Sequence, residues 1–152
     1  MLVRGVRIGL CGTDHEINEG SYGSAPPRSD ALVLGHDSLG RVVRGGADLP
    51  DGTLVVGIVR RPDGCPNCAR GQQDMGLWGD FTERGIGGLH GFGSEWWVER
   101  PEYVVAIPEH LADGGVLLEP LTVVEKVVRH AFRIHGRAHW EPKRALVAGA
   151  GP

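Results

Sequence analysis

Leu2-Val3-Arg4-Gly5-Val6-Arg7-Ile8-Gly9-Leu10 runs directly into Cys11-Gly12-Thr13-Asp14-His15-Glu16. The first segment alternates apolar residues with others well enough for a strand. The second has the Thr-x-x-Glu spacing of a capping box, so a short helix is expected to open at Thr13. Between them Cys11 sits at a strand end with glycines nearby, where the backbone can turn and present its sulfur. Strand, glycine turn, chemistry-bearing side chain: the rest of the chain repeats this pattern.

Moving outward, Tyr22 to Asp30 is a Gly/Ser/Pro-rich loop. Ala31–Leu34 and Leu39–Arg44 read as short strands flanking Gly35-His36-Asp37, and Asp48–Gly52 as a turn before a valine-rich strand over Thr53–Arg61. Pro62 to Leu89 has weak periodicity and many glycines, which predicts an irregular lobe. Ser94–Val98 and Tyr103–Ile107 resume the strand pattern. From Ala112 to His135 the apolar residues take helical spacing, with Gly136 as the stop. Arg144 to Pro152 reads as a buried strand entering a Gly149-Ala150-Gly151 turn, the opening of a dinucleotide-binding βαβ unit.

Composition supports this division. The 152 residues include 25 glycines and 10 prolines, too many for a helical bundle and suited to strands joined by tight turns. A formal charge of −3 supplies no basic field for nucleic acid. No run approaches the length that spans a bilayer, and the N-terminus lacks a secretory pattern. Three cysteines without a spaced framework argue against a disulfide-stapled secreted domain, so a cytoplasmic location is expected. The expected class is mainly β with some α. A barrel-like domain occupies residues 1–111 and opens inside a sheet, without its leading strands. A long helix follows over 112–136, and residues 143–152 form the first strand and turn of an α/β domain that is cut short.

Cys11, His36, Asp37 and Glu119 are the candidate metal ligands. Zinc takes thiolate, imidazole and carboxylate donors in a tetrahedral shell, and a catalytic site needs only three of them. His36 follows a glycine at a strand end; Glu119 precedes Pro120, expected to kink or open the helix. Each residue also has a plain reading: a buried thiol, a turn histidine, a carboxylate favoured by the helix macrodipole.

Cys11-Gly12-Thr13-Asp14 followed by Leu34-Gly35-His36-Asp37 resembles the zinc-dependent medium-chain dehydrogenase/reductase family. Within it the likeness is strongest to the archaeal-type glucose dehydrogenases, through Phe81 to Ile86, His90-Gly91-Phe92, Ser94-Glu95-Trp96-Trp97, Ile107-Pro108, Glu119-Pro120-Leu121 and Glu125-Lys126. The resemblance implies a GroES-like catalytic domain leading into a Rossmann domain. It implies one catalytic zinc held by Cys11, His36 and a carboxylate, either Asp37 or Glu119. Family members usually carry glutamate after the histidine, and Asp37 is shorter by roughly 1.5 Å of reach, which favours Glu119 with Asp37 behind or exchanging. The resemblance further implies Thr13 as the first hydroxyl of a proton relay, with Thr13, Glu95 and Glu119 meeting the sugar. Gly149 and Gly151 then begin a turn for NADP or NAD. Trp96 and Trp97, adjacent on a strand, face opposite ways and are expected in core and interface roles.

The implied reaction is oxidation of glucose or a related aldose to its lactone, in a full-length form that is a homo-oligomer. A different class stays open: a truncated, catalytically silent zinc-binding domain. A zinc-free relative resembling quinone reductases is disfavoured by the cysteine and histidine together. Many relatives carry a structural zinc lobe whose four cysteines would fall at positions 62, 65, 68 and 76. This chain has Pro62, Cys65, Cys68 and Gly76. The lobe is therefore expected to lack structural zinc and to fold by packing, with a Cys65–Cys68 disulfide as an oxidised alternative.

Overall fold

The computed structural model describes residues 1–149. Strand β1 (Leu2–Gly9) is an interior strand of a five-stranded antiparallel sheet. Its order is β7 (Trp96–Val98), β1, β2 (Asp37–Arg44), β3 (Leu54–Gly57) and β8 (Val104–Ala106). The valine-rich segment expected as one strand divides in two. After β3 the chain bends, and β4 (Arg60–Arg61) joins a second, three-stranded sheet with β5 (Thr82–Arg84) and β6 (Gly88–Leu89). Ala31–Leu34, expected as a strand, belongs to none; the carbonyls of Val33, Leu34 and Gly35 accept instead from Gly91, Gly93 and Phe92.

The core lies on one face of the larger sheet, where Val3, Val42, Val55, Phe92, Trp97 and Val104 pack together. Each such side chain contributes about 1.5–3 kcal/mol of burial free energy. Phe92 and Trp97 meet edge-to-face at 4.8 Å between ring centres. Trp96 points the other way and is 45% exposed, with the Arg4 guanidinium over its ring. The two tryptophans therefore split as strand alternation requires.

The sheets are joined by a buried carboxylate. Glu99, just past β7, accepts from Arg61 of β4 and from Arg84 of β5, the latter at 2.9 Å. Arg84 also donates to the carbonyls of His90 and Val98.

Helix α1 (Gly12–Asn18) has its N-cap two residues earlier than the Thr-x-x-Glu spacing predicts. Cys11 is the N-cap, and the Asp14 carboxylate accepts its backbone N–H at 3.0 Å, while Glu16 is exposed. Helix α2 (Leu118–His135) is led by a 3-10 turn and ends at Gly136. Pro120 does not open it: the proline occupies the first turn, where its missing N–H would have had no helical partner. Residues 143–149 form no strand, and Leu146 and Val147 are 92% and 86% exposed. A strand needs at least one neighbour to complete its backbone ladder, and no strand of the described residues lies beside this segment. Gly149 has a positive φ of 108°; Gly151 lies outside the described residues.

Candidate metal centre

The register of β1 and β2 builds the site. Their last pair is Gly9 with Asp37. Cys11 leaves the sheet two residues after Gly9, and His36 enters it one residue before Asp37, so both emerge at the same end. A side chain at position 9 would collide with Asp37, its β-carbon falling 2.7 Å from that of the aspartate. Glycine there leaves the carboxylate its place. Gly35 takes φ +87°, a conformation other residues resist, and aims His36 inward.

His36 is 3% exposed and is the common member of two clusters. Its Nε2 lies 3.2 Å from the Cys11 sulfur and 3.7 Å from Asp37 Oδ1. One donor atom each from His36, Asp37 and Glu119 lies within 4.8 Å of the others. Glu119 arrives from the first turn of α2, which packs against β2. Cys11 joins His36 in one triad with Asp14, and Asp37 and Glu119 join His36 in the other, so the histidine is what the two groups share; the short Asp37 side chain reaches the imidazole.

Asp14 stands behind the ring. Its Oδ1 is 3.5 Å from His36 Nδ1 and accepts the Gly35 N–H at 3.1 Å, while its other oxygen holds the Cys11 N–H. One carboxylate thus ties both ligand-bearing loops together and faces the imidazole from the side away from the sulfur. Sequence reading placed Asp14 in a motif without giving it a role. Its spacing of three from Cys11, as in a capping box, was the available signal.

Burial raises the Glu119 carboxyl from 4.5 to about 7, helped by a hydrogen bond and charge repulsion from Asp37. Asp37 Oδ1 is buried with no hydrogen-bond donor among the described residues. A buried carboxylate oxygen without a donor, beside an imidazole nitrogen and a sulfur, fits a divalent cation. The sulfur, nitrogen and oxygen set is the one zinc takes.

The remaining candidates are dispersed. Thr13 is half-buried on the first turn of α1, two residues from the sulfur. Glu95 is exposed, 4.0 Å from Arg4 at the β1–β7 edge, and belongs to neither cluster.

Comparison with known proteins agrees with this architecture. The chain is 49% identical over 157 residues to the glucose 1-dehydrogenase of Methanocella arvoryzae, covering 100% of this chain and 44% of that protein. It is 44% identical over 156 residues to glucose 1-dehydrogenase 1 of Caldivirga maquilingensis, with the same coverages. The fold superposes on Haloferax mediterranei glucose dehydrogenase, solved in complex with NADP, Zn and gluconolactone, with a TM-score of 0.86 and 41% identity. That match covers 93% of this chain and 41% of the other. The chain thus spans less than half the length of these relatives. The pattern of the alcohol dehydrogenase GroES-like domain matches residues 1–109, and the chain belongs to that family.

Proposed function

We propose that this chain is the catalytic-domain portion of a zinc-dependent, NAD(P)-linked sugar dehydrogenase that oxidises glucose or a related aldose to the lactone. The observation that carries the reading is a buried histidine whose Nε2 faces the Cys11 sulfur and Asp37, and which also forms a cluster with Asp37 and Glu119. The identity of the relatives supports the substrate class. Residues 1–111 form the catalytic domain, 112–136 the connecting helix, and 143–152 the entry to a nucleotide-binding domain. NADP or NAD is the hydride acceptor. The full-length form is a cytoplasmic homo-oligomer.

Cys11, His36 and one of the two carboxylates, Asp37 or Glu119, would hold the zinc. When bound, the ion supplies Lewis-acid stabilisation to an oxygen that is losing its proton. The protein's own groups do the rest. Asp14 keeps the His36 ring oriented. Thr13 accepts the proton of the anomeric hydroxyl and passes one on from its own oxygen. Without the ion, Glu119 holds a proton near neutral pH beside Asp37; as a ligand it would release that proton. A nicotinamide held by a following domain would supply the acceptor for the hydride of the anomeric carbon, leaving the lactone as product.

The test joins these residues to a following nucleotide-binding domain and measures zinc content and glucose-dependent NADP⁺ reduction. Cys11→Ser and His36→Ala are each expected to abolish both. Turnover that persists without bound zinc would overturn the reading. Zinc bound without turnover in the joined protein would favour the silent zinc-binding domain.

A further inference from the structure

Cys11 belongs to the metal centre; the other two cysteines lie together in the lobe between β4 and β5. There the chain runs through Asp63-Gly64-Cys65-Pro66-Asn67-Cys68, with a 3-10 turn from Cys68 to Arg70. Cys65 is fully buried and Cys68 is half-buried. Their sulfurs lie 3.5 Å apart. A bond between them needs about 2 Å, which a swing of the less enclosed Cys68 side chain supplies.

These groups form a hydrogen-bonded chain with one direction. The Leu77 N–H donates to the Cys65 sulfur at 3.3 Å, the Cys65 thiol to the Cys68 sulfur, and the Cys68 thiol to Asp63 Oδ1 at 2.9 Å. Asp63 is fixed in place, accepting the Cys65 N–H at 3.0 Å through Oδ1 and the Trp78 N–H at 2.9 Å through Oδ2. The bonds from the two thiols hold its carboxyl well below the usual carboxylate range. By accepting the Cys68 proton in a hydrogen bond, the same carboxylate pushes that thiol up. The thiol bonds exist only in the reduced form. After oxidation Asp63 Oδ1 would face a sulfur with no proton to give.

We propose that Cys65 and Cys68 form a reversible dithiol–disulfide pair, a redox modification site separate from the metal centre, with Asp63 as the group that favours its reduced form. The oxidant is a low-molecular-weight disulfide. Cys68, the accessible member, attacks one sulfur of that disulfide as its thiolate. A mixed disulfide forms, and the first small thiol leaves with the proton that Cys68 gave up. Cys65 then attacks the Cys68 sulfur. The Cys65–Cys68 bond forms, and the second small thiol leaves with the proton from Cys65. Two protein thiols are oxidised, and one external disulfide is reduced to two thiols. Because the thiolate is the attacking species, Asp63 slows the first step as well as opposing the product. The pair therefore stays reduced until the oxidant is in excess, and an excess of small thiol reverses both steps.

The probe is oxidised glutathione. The full chain, reduced and freed of metal by a chelator, is equilibrated in glutathione buffers of falling [GSH]²/[GSSG], then alkylated and mapped by mass spectrometry. The parent is expected to gain a peptide in which Cys65 and Cys68 are joined, and to lose it again on return to excess reduced glutathione. Cys65→Ser is expected to stop at a glutathione adduct on Cys68, which traps the first step. Asp63→Asn keeps a carbonyl acceptor but drops the charge that roughly doubles the strength of such a bond. Its half-oxidation is expected at about 10-fold higher [GSH]²/[GSSG] than in the parent. Circular dichroism confirms that each variant is folded. A parent that stays fully alkylatable in oxidised glutathione, or that ends as a Cys68 adduct without the internal bond, would overturn the proposal. So would an Asp63→Asn variant with an unchanged midpoint. Cys11 maps to a separate peptide, so neither result bears on the metal centre.

Discussion

The Cys11 sulfur and His36 Nε2 stand 3.2 Å apart, although 25 positions separate them in the chain. The contact follows from the ladder between β1 and β2, whose terminal pair brings both loops to one edge. Asp14, bonded to the Cys11 and Gly35 amides, then locks the two loops to each other.

Asp14→Asn retains the shape of that bracket but removes its charge. Loss of the orienting carboxylate is expected to reduce zinc affinity by about 10- to 100-fold. Asp14→Ala leaves buried amides unpaired as well and should cost about 1–3 kcal/mol of stability. Competition against a chelating dye gives the first quantity, and urea denaturation the second. Unchanged metal affinity in Asp14→Asn would remove Asp14 from the site.

The Glu119 carboxyl titrates at about 7 in the folded chain and near 4.5 when unperturbed. Between those values the folded state holds a proton that the unfolded state has released, so stability falls as pH rises. Its contribution is complete below 4.5 and disappears as pH passes through about 7. In the presence of a chelator, the melting temperature is expected to decline from pH 5 to pH 8 more steeply in the parent than in Glu119→Gln. Parallel profiles would contradict the assignment.

Glu99 receives two arginines while buried between the two sheets. Glu99→Ala leaves both guanidinium groups without their counter-charge, and removing one partner of a buried pair costs about 3–5 kcal/mol. Chemical denaturation of the variant measures this. A loss below 1 kcal/mol would mean that water replaces the carboxylate.

Thr13 separates a hydroxyl role from a packing role. In the joined protein, Thr13→Ser is expected to keep most of the glucose-dependent turnover, and Thr13→Ala to lose about 10²–10⁴-fold in kcat, the usual contribution of a positioned proton-transfer group. Zinc content should be the same in both variants. The 152 residues alone are expected to bind zinc without turnover, because the described residues contain no complete βαβ unit for a nicotinamide cofactor. Steady NADP⁺ reduction by this chain with glucose would contradict that expectation.

Local patterns in the chain were sufficient for the strand from Leu2, the end of the long helix at Gly136 and the opposite facing of Trp96 and Trp97, because alternation and helical spacing are short-range properties. They failed where longer-range forces decide. Ala31–Leu34 looks like a strand, but the carbonyls of Val33, Leu34 and Gly35 accept from residues 91–93. Thr53–Arg61 reads as one strand but serves two sheets. Residues 143–149 have a strand's composition without a neighbouring strand to complete a ladder.

The same boundary runs through the site. Residue types and family motifs named Cys11, His36, Asp37 and Glu119 as donors, since only certain side chains offer sulfur, imidazole nitrogen or carboxylate oxygen to a metal. Distances belong to the fold. The β1–β2 register put two of these residues at one strand end, and the docking of α2 brought Glu119 to the third. Folding also assigned Asp14 its place behind the imidazole and set Asp63 beside Cys68. Side-chain chemistry is carried by each residue alone, whereas convergence depends on which backbone hydrogen bonds close, and those join residues far apart in the chain.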